Sequence, residues 1–168
     1  LSKNSWLIST PNVSQLVVSY NYYSNELNAG STYLDEKQLY VNPVNCCLYI
    51  PNRMQESCAV DIQVPEDYKI ACALGKESLL VAQNFDQLAE SPWIASASLQ
   101  YHTYSVLGVQ FYVWFQGDCL PDWNRLLKDF KAFTKAQLKD FASFPGNEYH
   151  FINQIVPYKA YHGVEHTA

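Results

Sequence analysis

The residues best suited to chemistry stand together near the end of the chain, in Tyr161-His162-Gly163-Val164-Glu165-His166-Thr167-Ala168. Two histidines, a glycine and a carboxylate fall within five residues there. As bare letters, His162 to His166 fits H-x-x-E-H, which holds a zinc ion when a helix turns both histidines to one side. The surroundings oppose a helix. Gly163 and Val164 are poor helix formers, and Pro157 lies just upstream. In an extended segment His162, Val164 and His166 share one face, while Gly163 and Glu165 share the other. The two histidines would then stand ~13 Å apart, too far to bind one ion.

Three readings of this stretch stand side by side: a self-contained zinc site, a polar edge strand with a structural role, and a strand bordering a peptide-binding cleft. The third fits the surroundings best. Gly163 permits close approach of another backbone, and a strand edge hydrogen-bonds an extended peptide. Glu165 would meet a substrate's ammonium group. At an effective dielectric of about 20, such a pair about 4 Å apart attracts by ~4 kcal/mol before desolvation. A segment of this kind rarely ends a domain, so the chain reads as a piece of a larger protein, cut just after a functional motif begins.

Elements of ordinary size must position these groups. The 168 residues suffice for one domain or two small ones. Hydrophobic residues make up 48 % and charged residues only 16 %, so a packed core is expected. The 13 tyrosines, 8 phenylalanines and 4 tryptophans favour strands. A net charge of −5, with Arg125, Lys128, Lys131, Lys135 and Lys139 at helical spacing beside Asp129 and Asp140, describes a solvated helix face and argues against a nucleic-acid partner. Cys46, Cys47, Cys58, Cys72 and Cys119 are odd in number and irregular in spacing. They read as small buried hydrophobes and lean towards a reducing compartment without fixing one. No apolar run reaches the ~20 residues of a membrane helix.

In chain order, alternation predicts strands over 14–23, 39–41, 46–50 and 57–64. Residues 69–74 and 78–83 are expected to pair as a hairpin about Gly75-Lys76. Residues 86–93 break the pattern and mark a soft boundary. Strands at 99–106 and 109–116 follow, joined by Leu107-Gly108, with Val109, Phe111, Val113 and Phe115 on one face. The spacing of Trp123, Leu126, Leu127, Phe130, Phe133, Leu138 and Phe141 predicts an amphipathic helix over 122–142, started by Pro121-Asp122 and stopped by Pro145-Gly146. A last strand covers 149–156. His102 and His150 read as structural residues within strands.

Several of these stretches together resemble one family. Val18-Ser19-Tyr20-Asn21-Tyr22-Tyr23 is similar to its early V-x-Y-x-Y strand, and Tyr33-Leu34-Asp35 and Asn42-Pro43 follow in order. Val64-Pro65-Glu66-Asp67-Tyr68 is similar to its P-x-x-aromatic step, and Phe85-Asp86-Gln87-Leu88-Ala89-Glu90-Ser91-Pro92 to its D-x-L-x-D-S-P segment, with Glu90 in place of Asp. Phe144-Pro145 and Tyr149-His150-Phe151-Ile152 resemble a further stretch. Gly163-Val164-Glu165-His166 matches its G-[LVM]-E-H motif, although His162-Gly163 replaces the usual double glycine. The chain thus resembles the glycyl-aminopeptidase family of thermolysin-like zinc metallopeptidases (gluzincins), which often carry a PDZ domain.

The resemblance implies an α+β fold. A mostly antiparallel β N-terminal domain would occupy residues 1–92, and the first β-sheet and helix lobe of a thermolysin-like catalytic domain residues 93–168. No H-E-x-x-H occurs in the chain. Zinc, its ligands and the general base would therefore belong to the full-length parent beyond Ala168. This segment would bind no metal, hold no catalytic residue and be inactive alone. Its part would be the substrate-binding strand Gly163, Val164, Glu165 and His166. Glu165 would bind the free amino group of a peptide substrate, and the rest of the catalytic domain would be its other partner. The alternative is a non-enzymatic β-rich module that binds peptide or carbohydrate on its aromatic side chains.

Overall fold

A computed structural model describes residues 3–141 and 144–166. Prolines, asparagines and glycines cut the β-prone sequence into short runs, and the strands are correspondingly brief. In chain order they are β1 (Tyr33–Leu34), β2 (Leu39–Val41), β3 (Cys58–Asp61), β4 (Lys69–Ala71), β5 (Leu79–Ala82), β6 (Trp93–Ser96), β7 (Gln100–Val106), β8 (Val109–Gln116) and β9 (Glu148–Gln154). Helices α1 (Pro43–Cys46), α2 (Phe85–Ala89) and α3 (Trp123–Asp140) are interspersed.

The strands form three sheets, mostly antiparallel. The first has the order β1-β2-β6-β4, the second joins β3 to β5, and the third runs β7-β8-β9. Alternation gives the first sheet two apolar faces. Val41, Ile70, Trp93 and Ala95 meet Leu80 and Ala82 of β5 together with Phe85 and Leu88 of α2. Tyr40, Ala71 and Ile94 point the other way, against Leu99, Trp114 and Ile152 of the third-sheet region. The remaining face of the third sheet, with Tyr104, Val106, Phe111 and Val113, is covered by α3 through Trp123, Leu127, Phe130 and Leu138. The layers therefore run second sheet, first sheet, third sheet, helix.

In the third sheet, β7 and β8 are antiparallel while β8 and β9 are parallel. A parallel pair needs a long crossover, and α3 supplies it. The helix begins where its chemistry says it should: the Asp122 carboxylate accepts a hydrogen bond from the Arg125 amide at 3.1 Å. Thr134 is buried on this face, with its hydroxyl 2.7 Å from the Tyr104 hydroxyl. Two aromatics expected in the stripe lie outside it. Phe133 sits at its flank, 40 % exposed, and Phe141 follows the last helical residue with extended backbone, 68 % exposed.

Four local expectations differ from the structure. Residues 14–23 belong to no helix or sheet, and Leu16, Val18, Tyr20 and Tyr22 are exposed. Residues 46–50 form no strand. Pro43 occupies the first turn of α1, a position that suits its fixed φ and missing N–H, and a 3₁₀ turn over Pro51–Arg53 follows. The expected hairpin over 69–83 does not form, because β4 pairs with β6 and β5 with β3. The connection carries the chain from one sheet to the sheet facing it, and buries Cys72 and Leu80 between them. Residues 86–93, read as a break, include most of α2, whose N-cap Asn84 accepts from the Gln87 amide at 2.8 Å. Trp93–Ser96, just past the expected division at residue 92, pairs with β2 on one side and β4 on the other. Among the described residues no helix is long and apolar enough to cross a membrane.

Candidate functional site

The third sheet sets the site. Strand β9 lies at its edge, paired with β8 in the register Tyr112↔His150 and Trp114↔Ile152. That parity turns Tyr149 and Phe151 towards α3 and sends His150, Ile152 and Gln154 to the opposite face. Beyond Gln154 the chain turns through Pro157 and runs back as Tyr161–His166, outside any helix or strand.

Two histidines bring this returning segment against the N-terminal part of the chain. His162 Nδ1 accepts a hydrogen bond from the Ala29 amide at 3.2 Å. His166 Nδ1 stands 3.6 Å from Glu90 Oε2, at the end of α2. Between the segment, β9 and the first sheet lies a cavity of about 130 Å³. Its walls include Tyr40 and Pro92 on one side, His150 and Gln154 on another, and His162, Gly163, Val164 and His166 on the third. A wider open groove of about 860 Å³ adjoins it, running between the end of α2 and residues 144–149, and Tyr149 and His166 border both.

His150 is the most constrained group in the cavity. Its side chain is only 3 % exposed. Its Nδ1 accepts a hydrogen bond from Trp114 Nε1 at 3.2 Å. An indole N–H can only donate, so the neutral imidazole carries its proton on Nε2. Burial, helped by the Lys76 ammonium, pushes the pKa of His150 down to about 4. The group is therefore neutral near pH 7. Its Nε2 is 3.5 Å from Glu148 Oε1 and makes no hydrogen bond there.

Of the residues selected from the sequence, Gly163, Val164 and His166 line the cavity. Glu165 is exposed and does not line it. Its charge is felt by Tyr149, whose hydroxyl pKa is raised by burial first and by Glu165 second. His102 lies far from this cluster in the fold, its ring centroid 4.5 Å from that of Trp123 on the helix-covered face. His150 and Gln154 were not singled out as site residues. Their two-residue spacing with Ile152 was the available signal, since it places all three on one face of a strand.

The arrangement does not suit a zinc ion. Among the described residues no group of three histidines, cysteines or carboxylates is placed to hold a metal. The segment carrying His162 and His166 is not helical, so the turn-to-turn alignment that H-x-x-E-H requires is missing. The five cysteines are all free thiols, of which Cys72 is buried and the others half-buried.

Comparison with known proteins places this geometry in context. The fold is similar to that in the crystal structure of an aminopeptidase N family protein from Idiomarina loihiensis, with a TM-score of 0.74 at 22 % identity over 80 % of this chain. The likeness covers 24 % of that protein, so the chain spans about a quarter of its length. No curated protein sequence matches. Residues 1–97, more than half of the chain, match the Peptidase M61 N-terminal domain. The chain belongs to the peptidase M61 family.

Proposed function

We propose that this chain is the substrate-binding portion of a peptidase that acts at the amino terminus of peptides. The observation that carries the reading is that Gly163-Val164-Glu165-His166 lies outside every helix and strand among the described residues, with Gly163, Val164 and His166 along a cavity, in a chain of peptidase lineage. A segment outside every ladder has main-chain donors and acceptors to offer an extended peptide. Gly163 is open, with no atom within 4 Å of an added Cβ, so a second backbone can approach it closely.

In this reading the segment binds and orients. The main chain at residues 163–165 holds the peptide in register, and the exposed Glu165 carboxylate receives its ammonium group. On this reading the zinc ion, its ligands and the general base would belong to other parts of the complete protein. No bond-making step is assigned to this chain.

The test is Glu165→Gln in the complete protein, assayed with matched peptides whose amino termini are free or blocked. A charged hydrogen bond is worth ~1.5–3 kcal/mol, so free-amino substrates should lose roughly tenfold or more in kcat/KM relative to blocked ones. Equal loss for both classes rejects the ammonium contact.

A further inference from the structure

Cys46 and Cys47 are brought together by the end of a helix. On a strand, neighbouring side chains would point to opposite faces. Here Cys46 is the last residue of α1 and Cys47 caps it with extended backbone. Their thiols are in hydrogen-bond contact. Both residues are half-buried, so small reagents can reach them. The Thr32 hydroxyl is within hydrogen-bond reach of Cys46. Cys46 Sγ also lies 3.9 Å from the Asn42 carbonyl oxygen, a weak contact that the thiol gives up on ionising.

The contact sets the two sulfurs apart. The hydrogen bond from Cys47 lowers the pKa of Cys46 to about 7, with burial opposing and Thr32 helping. The same hydrogen bond, and then burial, raises that of Cys47. The pair therefore releases its first proton near neutral pH and retains the second. A thiolate beside a neutral thiol is the arrangement of a nucleophile with its resolving partner. Cys72 and Cys119 have no such partner thiol among the causes that act on them. Burial raises Cys72 to about 11, and Cys119 is raised by burial and then by Asp118.

We propose that Cys46 and Cys47 form a reversible oxidation site for hydroperoxides. The Cys46 sulfur attacks the outer peroxide oxygen: the S–O bond forms, the O–O bond breaks, and the departing hydroxide or alkoxide takes a proton from water. The Cys47 sulfur then attacks the sulfenic sulfur: the S–S bond forms, the S–O bond breaks, and the Cys47 proton leaves with the hydroxyl as water. The two sulfurs lose two electrons and the peroxide gains them. The bridge would be strained, because adjacent Cα atoms stand ~3.8 Å apart across a trans peptide, inside the ~4.4 Å at which disulfides usually begin. The peptide it would enclose also has both polar groups engaged. Its Cys46 carbonyl accepts from the Tyr20 hydroxyl at 2.6 Å, and its Cys47 N–H donates to the Pro43 carbonyl at 2.8 Å. A strained bridge is readily reduced, so excess thiol returns the site to its open form. The proposal stands apart from the peptidase reading: it makes no use of the cavity or of Glu165.

The experiment treats the reduced complete protein with hydrogen peroxide near neutral pH and maps each cysteine by mass spectrometry. The peptide carrying Cys46 and Cys47 should lose two hydrogens, and its reactivity with iodoacetamide, before Cys58, Cys72 or Cys119 is oxidised. Excess reduced glutathione should restore both. In the reduced protein, iodoacetamide should modify Cys46 at least roughly tenfold faster than Cys72 or Cys119. Cys47→Ser keeps a donor but cannot form the bridge, so peroxide should leave Cys46 as a sulfenic acid, read as its dimedone adduct. Cys47→Ala removes the donor as well and should slow Cys46 alkylation roughly fivefold. A bridge that includes Cys58, oxidation that begins at another cysteine, or a Cys46–Cys47 bridge that persists in glutathione overturns the proposal.

Discussion

His150 couples the stability of this fold to pH, and the effect can be calculated. In the unfolded chain its imidazole takes up a proton near the ordinary 6.5, whereas in the fold it resists protonation until about 4. Between these values the unfolded state binds more protons, so acid favours unfolding. The contribution is fully present above about pH 6.5 and falls as pH drops through the interval, by about 1.4 kcal/mol per pH unit. Below about pH 4 both states are protonated and the loss levels off. From about pH 7.5 to about pH 4.5 the loss assigned to this one residue is about 2.5 kcal/mol. The perturbation is His150→Gln, whose amide oxygen can accept from Trp114 Nε1 but cannot titrate. Urea unfolding at the two pH values gives each protein's change in stability, and subtraction removes the carboxylate titrations common to both. The parent chain should lose about 2.5 kcal/mol more than the variant on acidification. Equal losses would refute both the buried neutral imidazole and the tautomer derived from it.

Three further predictions concern the frame around the cavity. Gly117→Ala should destabilise by at least ~2 kcal/mol in chemical denaturation, because φ is +112° there and an added Cβ would stand 2.5 Å from the Ile155 carbonyl oxygen. Leu107→Asn should raise the Tm, with a gain of up to about 1 kcal/mol, since Leu107 and Gly108 both take positive φ (51° and 85°) in the β7–β8 turn and asparagine tolerates that conformation better than leucine. Thr134→Val should cost ~1–3 kcal/mol by stranding the buried Tyr104 hydroxyl; Tyr104→Phe made together with it should cost less than the sum, as read by a double-mutant cycle.

What was legible in the sequence divides along the range of the interactions that decide it. Helix α3 could be read because its apolar stripe, its Asp122 cap and its stop are local signals. The β7–β8 hairpin was legible for the same reason, since Val106 and Val109 flank a two-residue turn. Alternation elsewhere specifies two faces but no partner. Residues 69–74 and 78–83 both alternate about a glycine, yet each pairs with a strand elsewhere, Trp93–Ser96 for one and Cys58–Asp61 for the other. Residues 14–23 have the pattern of a strand and no neighbour in these sheets.

The site follows the same rule. Glu165 was selected for its charge, and the returning segment was recognised from its letters, but His150 was read as a structural residue because nothing near it in sequence carries chemistry. Its place comes from the register of β9. With Phe111↔Tyr149 and Val113↔Phe151 opposite one another, Tyr149 and Phe151 join the aromatic cluster beneath α3, where Phe151 meets Phe130 at 5.0 Å between ring centroids. The odd-numbered positions are thereby committed to the helix face, and His150, Ile152 and Gln154 must take the other. A slip of one residue would bury the imidazole and the carboxamide among phenylalanines without partners, and would turn Phe151 towards the cavity. The aromatic packing of Tyr149 and Phe151 beneath α3 is thus what aims the polar groups of β9, and His162 and His166 of the returning segment close the wall opposite.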